Sequence, residues 1–407
     1  MNIAMFTNNY EPFIGGVERS IALYKSFLEK KGHKVYIFAP EYPNHKDKGK
    51  RIIRIASFSA PTYPGFYLPL SFLPKIEKQF KKLGLDIVHL HHPFLLGEAG
   101  LKLARKYNLP AVLTYHTLFG QYLHYVPLRK KTARPILDKI TSSFCSQCDL
   151  VLAPSSYIKK HLEKKIKTAI KVQPTGLDWS LYKHKPKSLR KEYHLPESAK
   201  ILLYAGRLAK EKNLGFLLKS MRKIIEKDPN AVCFLVGRGK ERERLEEKAR
   251  RWNMQHKILF PGSKSKKELI TFYKAADLFL FSSKSETQGL VLIEAMAAST
   301  PVVAVRGPSV DEAVKSGKNG FLVKESVEEF AKKSLELLRN KSKYKSFSRN
   351  ALKTAKEFSM DKLADSLLGH YKELKKSSHK RKYKRLRLAK HLTSMGWQKL
   401  IKYLSTK

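Results

Sequence analysis

The chain has 407 residues, 42% of them apolar, so it can bury more than one core and divides into two or three domains at about 150 residues each. Lys and Arg number 81 against 35 Asp and Glu, a formal charge of +46 that attracts polyanions such as nucleic acid, anionic lipid or phosphorylated substrates and says nothing about fold. The apolar fraction excludes disorder of the whole chain, and no run reaches the ~18 uncharged apolar residues of a membrane span. The best run, Leu290 to Val305, carries Glu294 in its middle. The N-terminus lacks the basic region and long apolar core of a signal peptide, so a cytoplasmic location is expected. Cys145, Cys148 and Cys233 make no disulfide framework, and Cys145-x-x-Cys148 lacks the second half of a zinc site.

Along the chain, short apolar runs alternate with helical patterns. Ile3–Thr7, Val35–Ala39, Ile52–Ile55, Asp86–Leu90, Ala111–Tyr115 and Leu150–Ala153 read as buried strands, with helices such as Val17–Lys30, Glu98–Tyr107 and Lys131–Phe144 between them. The rhythm then restarts. Lys200–Ala205, Ala231–Val236, Lys257–Phe260, Leu278–Phe281 and Pro301–Val305 read as strands, and Asn213–Glu226, Lys240–Arg251, Lys266–Tyr273 and Gly289–Ala298 as helices. This alternation predicts α/β domains with parallel sheets covered on both faces. The expected division is a first Rossmann-like domain at 1–182, a polar basic linker at 183–196, a second Rossmann-like domain at 197–345, helices at 346–374 and a basic tail at 375–407. Two doubly wound domains of this kind would face each other across a cleft, with ligands beyond the carboxyl ends of the strands.

Three loops carry candidate chemistry. The first strand runs through Gly15-Gly16 into a helix, where backbone N–H groups and the helix dipole favour an anion. The spacing does not fit G-x-G-x-x-G, so a nicotinamide site is not supported. Second, Arg207 and Lys212 follow strand Lys200–Ala205. There they either neutralise a diphosphate, Arg as a fork and Lys as a point charge, or remain solvated surface. Third, Glu286 and Glu294 flank Gly289 and Leu290 in a loop and helix after Leu278–Phe281. Glu286 precedes the free N–H groups of a helix start. Glu294 lies in an apolar segment, and a buried carboxylate there needs a partner: a sugar or ribose diol, or a core Lys or Arg.

Taken together, the GGV loop, the GR…EKN stretch and E-x7-E within E-x-x-G-x-x-x-x-E-A-M-A resemble the family-4 retaining glycosyltransferases of the GT-B fold, over Met1 to Leu374. The resemblance implies that Arg207 and Lys212 hold the donor diphosphate, that Glu294 holds the ribose, that Glu286 lies against the donor sugar, and that Gly16, Gly289 and Leu290 complete the donor site. Gln288-Gly289 departs mildly from the family's usual residues after the first Glu. With no Asp-x-Asp in the chain, no metal or other cofactor is expected; cations from the protein would act instead. Thr114-Tyr-His116-Thr, followed by Tyr122, His124 and Tyr125, is similar to a stretch of the diacylglycerol glucosyltransferases. This implies that His116 stands beside the donor sugar and leaving phosphate, and that Tyr122, His124 and Tyr125 meet the acceptor. The implied partners are a nucleotide-sugar, UDP-glucose first, and a lipid, diacylglycerol first. Phosphatidylinositol, a polyprenyl-linked glycan or a soluble sugar are the alternative acceptors.

A lipid acceptor gives the charge a use, because each Lys or Arg near an anionic leaflet contributes ~1 kcal/mol. Phe66, Tyr67, Leu68 and Phe72, followed by Lys75, Lys78 and Lys82, pair apolar side chains with cations as an interfacial anchor requires. The tail from Lys375 carries 12 Lys and Arg and no acid. On a helix its Leu386, Ala389, Trp397, Leu400, Ile401 and Leu404 share one face of about 120°. A peripheral position on the inner face of the cell membrane is therefore expected. The rival is a nucleic-acid-binding protein, but the core shows no zinc pattern, RNP-like run or basic recognition helix; specific nucleic acid is not expected as a partner.

Overall fold

The computed structural model of the protein describes residues 1–13, 15–47, 49–60, 66–118, 120 and 130–378. Tyr122, His124, Tyr125 and Trp397 lie outside the described residues, as does the tail beyond Ser378. The chain begins with β1 (Asn2–Phe6), β2 (Lys34–Pro40) and β3 (Ile52–Ile55), followed by a short hairpin of β4 (Ser57–Ser59) and β5 (Tyr67–Pro69). Then come β6 (Ile87–Leu90), β7 (Ala111–Thr114), β8 (Leu150–Ala153) and β9 (Ile170–Val172). Apart from the hairpin these form one parallel sheet in the order β3-β2-β1-β6-β7-β8-β9. A second parallel sheet has the order β12-β11-β10-β13-β14-β15. Its strands are β10 (Lys200–Ala205), β11 (Ala231–Val236), β12 (Ile258–Gly262), β13 (Leu278–Phe281), β14 (Val302–Val305) and β15 (Gly320–Val323). The protein is thus two parallel-sheet α/β lobes with a helical C-terminal region.

The strands are apolar on both faces because both faces are covered by helices. In β1, Ile3 and Met5 enter one core while Ala4 and Phe6 enter the other. In β10, Ile201, Leu202, Leu203 and Tyr204 are all buried in the core of the second lobe.

The chain crosses between the lobes twice, and the two crossings are bonded to each other. Leu177 N–H donates to Phe358 O at 2.7 Å, and Met360 N–H donates to Leu177 O at 3.0 Å. After this point the helix Met360–Ser378 returns to the first lobe, where Met360, Ala364, Leu367 and Tyr371 join its core. Lys31–Asp365 at 2.8 Å and Lys375–Asp86 at 2.6 Å fasten its outer side. The expected start of the tail at 375 therefore falls inside a packed helix. The segment 183–196, expected as a linker, lies on the second lobe: Leu189 is in its core, and Lys274 Nζ donates to the carbonyls of Tyr182 (2.6 Å) and His184 (2.7 Å).

Candidate active site

Strand order reverses between β1 and β6 in the first sheet and between β10 and β13 in the second. Chain leaving neighbouring strands there diverges to opposite faces and leaves a crevice, the place where ligands enter such sheets. Every loop singled out from the sequence leaves a strand at or next to one of these two points.

After β1 the helix Gly16–Lys30 begins. A Cβ added at Gly16 would meet no protein atom within 4 Å, so packing does not require glycine at this position. Gly15 differs, because the Glu18 carboxylate folds back over it. Glu18 is 3% exposed, and its Oε1 has no hydrogen-bond partner. Burial raises its pKa to about 7, against the weaker opposing pulls of a backbone N–H and then of Arg207 on the second lobe.

Arg207 follows β10. Its Nη2 meets Glu211 Oε1 at 2.6 Å. The neighbouring strand-end loop presses against this one: Gly237 has φ +148°, and a Cβ there would lie 1.9 Å from Gly206 O, so no side chain fits. Lys212 Nζ stands 2.5 Å from Glu286 Oε1, in the loop after β13. Burial alone would raise the Glu286 pKa, but the adjacent Lys212 ammonium outweighs it and holds the carboxyl below its ordinary range. Gly289, at φ +74°, then turns the chain into the helix Leu290–Ala297, whose first residue is Leu290.

Glu294 is 2% exposed and already satisfied. Arg19, on the helix that starts at Gly16, reaches across the cleft to its Oε1 at 2.7 Å, and Tyr273 hydroxyl donates to its Oε2 at 3.0 Å. Burial works against the Arg19 charge, yet the Glu294 carboxylate beside it leaves the guanidinium pKa raised. The core cation that the sequence left open as a partner for Glu294 is Arg19. Sequence reasoning missed Arg19, although it stands three residues after Gly16.

The loop between Glu286 and Gly289 stitches the lobes together. Thr287 Oγ1 donates to His116 O at 2.9 Å, and Ser155 Oγ donates to Thr287 O at 2.6 Å. Gln288 accepts from Thr175 N–H at 2.8 Å and donates to Thr175 O at 2.7 Å. This gives Gln288 a reason of its own to depart from the family's usual residue. Glu312 adds a contact by accepting from the backbone N–H groups of Ser156 and Tyr157. Contacts thus link Lys212 to Glu286, the loop after Glu286 to His116 through Thr287, and Glu294 to Arg19 on the helix that begins at Gly16.

The expected membrane residues divide. Phe72 is 59% exposed, whereas Phe66, Tyr67 and Leu68 are half-buried. Phe66 packs edge-on against Phe13, and Tyr67 against Tyr42. Leu70, within the expected Tyr63–Lys75 stretch, is exposed as well, and so is Phe58, which lies before that stretch. Lys75, Lys78, Lys81 and Lys82 line the outer side of the helix that follows. Among the described residues no helix is long and apolar enough to cross a membrane.

Comparison with known proteins agrees with this architecture. Residues 14–181 match the family described as Glycosyltransferase Family 4, and residues 186–354 match Glycosyl transferases group 1. The alpha-monoglucosyldiacylglycerol synthase of Streptococcus pneumoniae is 32% identical over 337 residues, 79% of this chain and 75% of that protein. The protein of the same name from Acholeplasma laidlawii is 28% identical over 396 residues, 94% of this chain and 99% of that protein. Among solved structures, Anabaena Alr3699/HepE in complex with UDP-glucose superposes with a TM-score of 0.75 at 18% identity, over 92% of this chain and 100% of the other. The two facing lobes are those of a GT-B glycosyltransferase. The chain belongs to glycosyltransferase family 4.

Proposed function

We propose that the protein transfers glucose from UDP-glucose to the 3-hydroxyl of diacylglycerol, with retention of configuration, at the inner membrane surface and without a metal. What supports this reading is the link from Lys212 through Glu286 and Thr287 to His116, in a chain similar over most of its length to two alpha-monoglucosyldiacylglycerol synthases. The diphosphate of the donor would lie against Arg207 and Lys212 and over Gly16, where the helix start leaves room. Both cations already hold carboxylates, so the leaving group enters a site whose charges are oriented in advance. In the transfer, the acceptor oxygen bonds to the anomeric carbon as the bond from that carbon to the phosphate oxygen breaks. The acceptor proton passes to a phosphate oxygen on the same face. Charge grows on the diphosphate during this step, and Arg207 and Lys212 stabilise it there.

The ribose role of Glu294 requires Arg19 to share or release the carboxylate, since both its oxygens are engaged. The exposed Phe58, Leu70 and Phe72 with the adjacent lysines supply a docking face for an anionic leaflet. The test is incubation of the full chain with a panel of nucleotide-sugars and diacylglycerol vesicles, followed by product mass. A mass gain of one hexose on diacylglycerol, dependent on the UDP-sugar, is expected. Transfer only to phosphatidylinositol, a polyprenyl-linked glycan or a soluble sugar would refute the acceptor assignment.

A further inference from the structure

His89, His91 and His92, at the carboxyl end of β6, group with His116, which follows β7; His89 and His91 are buried, His92 and His116 half-buried. His89 engages both ring nitrogens inside the fold, Nδ1 with Tyr371 hydroxyl at 2.5 Å and Nε2 with Thr114 Oγ1 at 2.7 Å. His92 Nδ1 accepts from Asn8 N–H at 3.2 Å. His91 lies between His89 and His116, with ring centroids 4.2 Å from the first and 5.2 Å from the second. Its Nδ1 faces His116 Nε2 at 2.9 Å, while its Nε2 is buried with no partner. Burial lowers the pKa of all four, so the rings are neutral at pH 7. Among the described residues no group of three or more His, Cys, Asp or Glu is placed to hold a metal.

We propose that His91 is a positioning residue that holds His116 in the tautomer with its proton on Nδ1. Two neutral rings that face each other through one nitrogen each share a single proton on that line. If His116 Nε2 carried it, the proton of His91 would sit on the buried Nε2 and find no acceptor. Orphaned buried N–H donors are rarer than orphaned acceptors. The proton therefore lies on His91 Nδ1, and His116 Nε2 accepts it. His116 is then protonated on Nδ1. The ring stays neutral and acts as a hydrogen-bond donor, matched to a sugar hydroxyl or a leaving phosphate oxygen, and it does not abstract a proton. Thr287 Oγ1, bonded to His116 O, fixes the backbone from which the ring projects.

This inference rests on the reading of His116 as a cleft residue beside the leaving group, and its test separates the two. Nitrogen NMR of full-length protein labelled at histidine, with the His116 signal assigned by its loss in His116→Ala, reads the tautomer directly. Wild type should show a protonated Nδ1 and a bare Nε2 at His116. His91→Asn retains a side-chain N–H near the Nδ1 position and should keep both the tautomer and most of kcat. His91→Leu should release the tautomer and lower kcat about 10- to 100-fold, as loss of an orienting partner does at other imidazole sites, with little change in donor KM. A wild-type signal showing His116 protonated on Nε2 overturns the proposal, even if no His91 variant folds. So does an unchanged tautomer in a folded His91→Leu protein. Full turnover by His116→Ala would instead remove His116 from the reaction, and the spectrum would still decide the tautomer.

Discussion

Removing Arg19 should destabilise the protein through a carboxylate in the other lobe. Glu294 is 2% exposed and has two side-chain partners, the Arg19 guanidinium and the Tyr273 hydroxyl. Replacing Arg19 with methionine keeps most of the side-chain volume but strands the negative charge with one neutral donor. Breaking a buried pair from one side costs about 3–5 kcal/mol. Arg19 is itself 26% exposed, and opening of the lobes would let water reach Glu294, so the lower end applies, about 3 kcal/mol. Arg19→Met with Glu294→Gln removes the stranded charge, and the double variant should regain at least about 1.5 kcal/mol of that loss. The assay is urea unfolding followed by tryptophan fluorescence, because Trp179 and Trp252 both pack against the core of the second lobe. An Arg19→Met protein within about 0.5 kcal/mol of wild type, or single effects that simply add, would refute the reasoning.

Lys212→Ala should keep the fold and reduce turnover about 10²- to 10³-fold, the loss expected for one stabilising group at a developing oxyanion; near-normal turnover would remove Lys212 from the site. Glu18 gives a pH signature. Its folded pKa of about 7 lies above the ordinary glutamate value of 4.5, so between these limits the folded protein holds a proton that the unfolded chain has released. Stability therefore falls as pH rises through that window, by as much as ~3 kcal/mol, and Glu18→Gln should flatten the dependence. Parallel curves for wild type and variant between pH 5 and 8 would contradict the burial argument. Replacing Phe58, Leu70 and Phe72 together with serine should weaken binding to anionic vesicles about 10²-fold, at roughly 1 kcal/mol for each half-exposed side chain; unchanged co-sedimentation would move the docking face elsewhere.

Much of this architecture can be read from local sequence. Lys200–Ala205, Ala231–Val236 and Leu278–Phe281 stand out as continuous apolar runs because parallel strands are covered on both faces. β9 and β15 escape that reading: one has Lys171 at its centre and the other begins with Gly320. The hairpin strands β4 and β5, three residues each, are too short for a pattern. The site loops are legible because they join a strand end to a helix start within about ten residues of sequence. Their partners are not. Arg19 and Glu294 meet across the whole chain, and no local rule says which buried cation a buried carboxylate finds. His91 and His116 come together because β6 lies beside β7, with Leu90 opposite Leu113, an order that only the assembled sheet establishes. The return of Met360–Ser378 to the first lobe is hidden in the same way, since an apolar helical stripe does not say which body it will cover.

The last described helix is moored to the lobe that bears Phe58, Leu70 and Phe72. Both ends of the described chain therefore belong to one lobe. The paired backbone at Leu177 and Phe358–Met360 ties the two crossings between the lobes together. The core of the first lobe is completed by segments from both ends of the described sequence, so truncation within Met360–Ser378 would uncover apolar surface beside Ile3 and Met5.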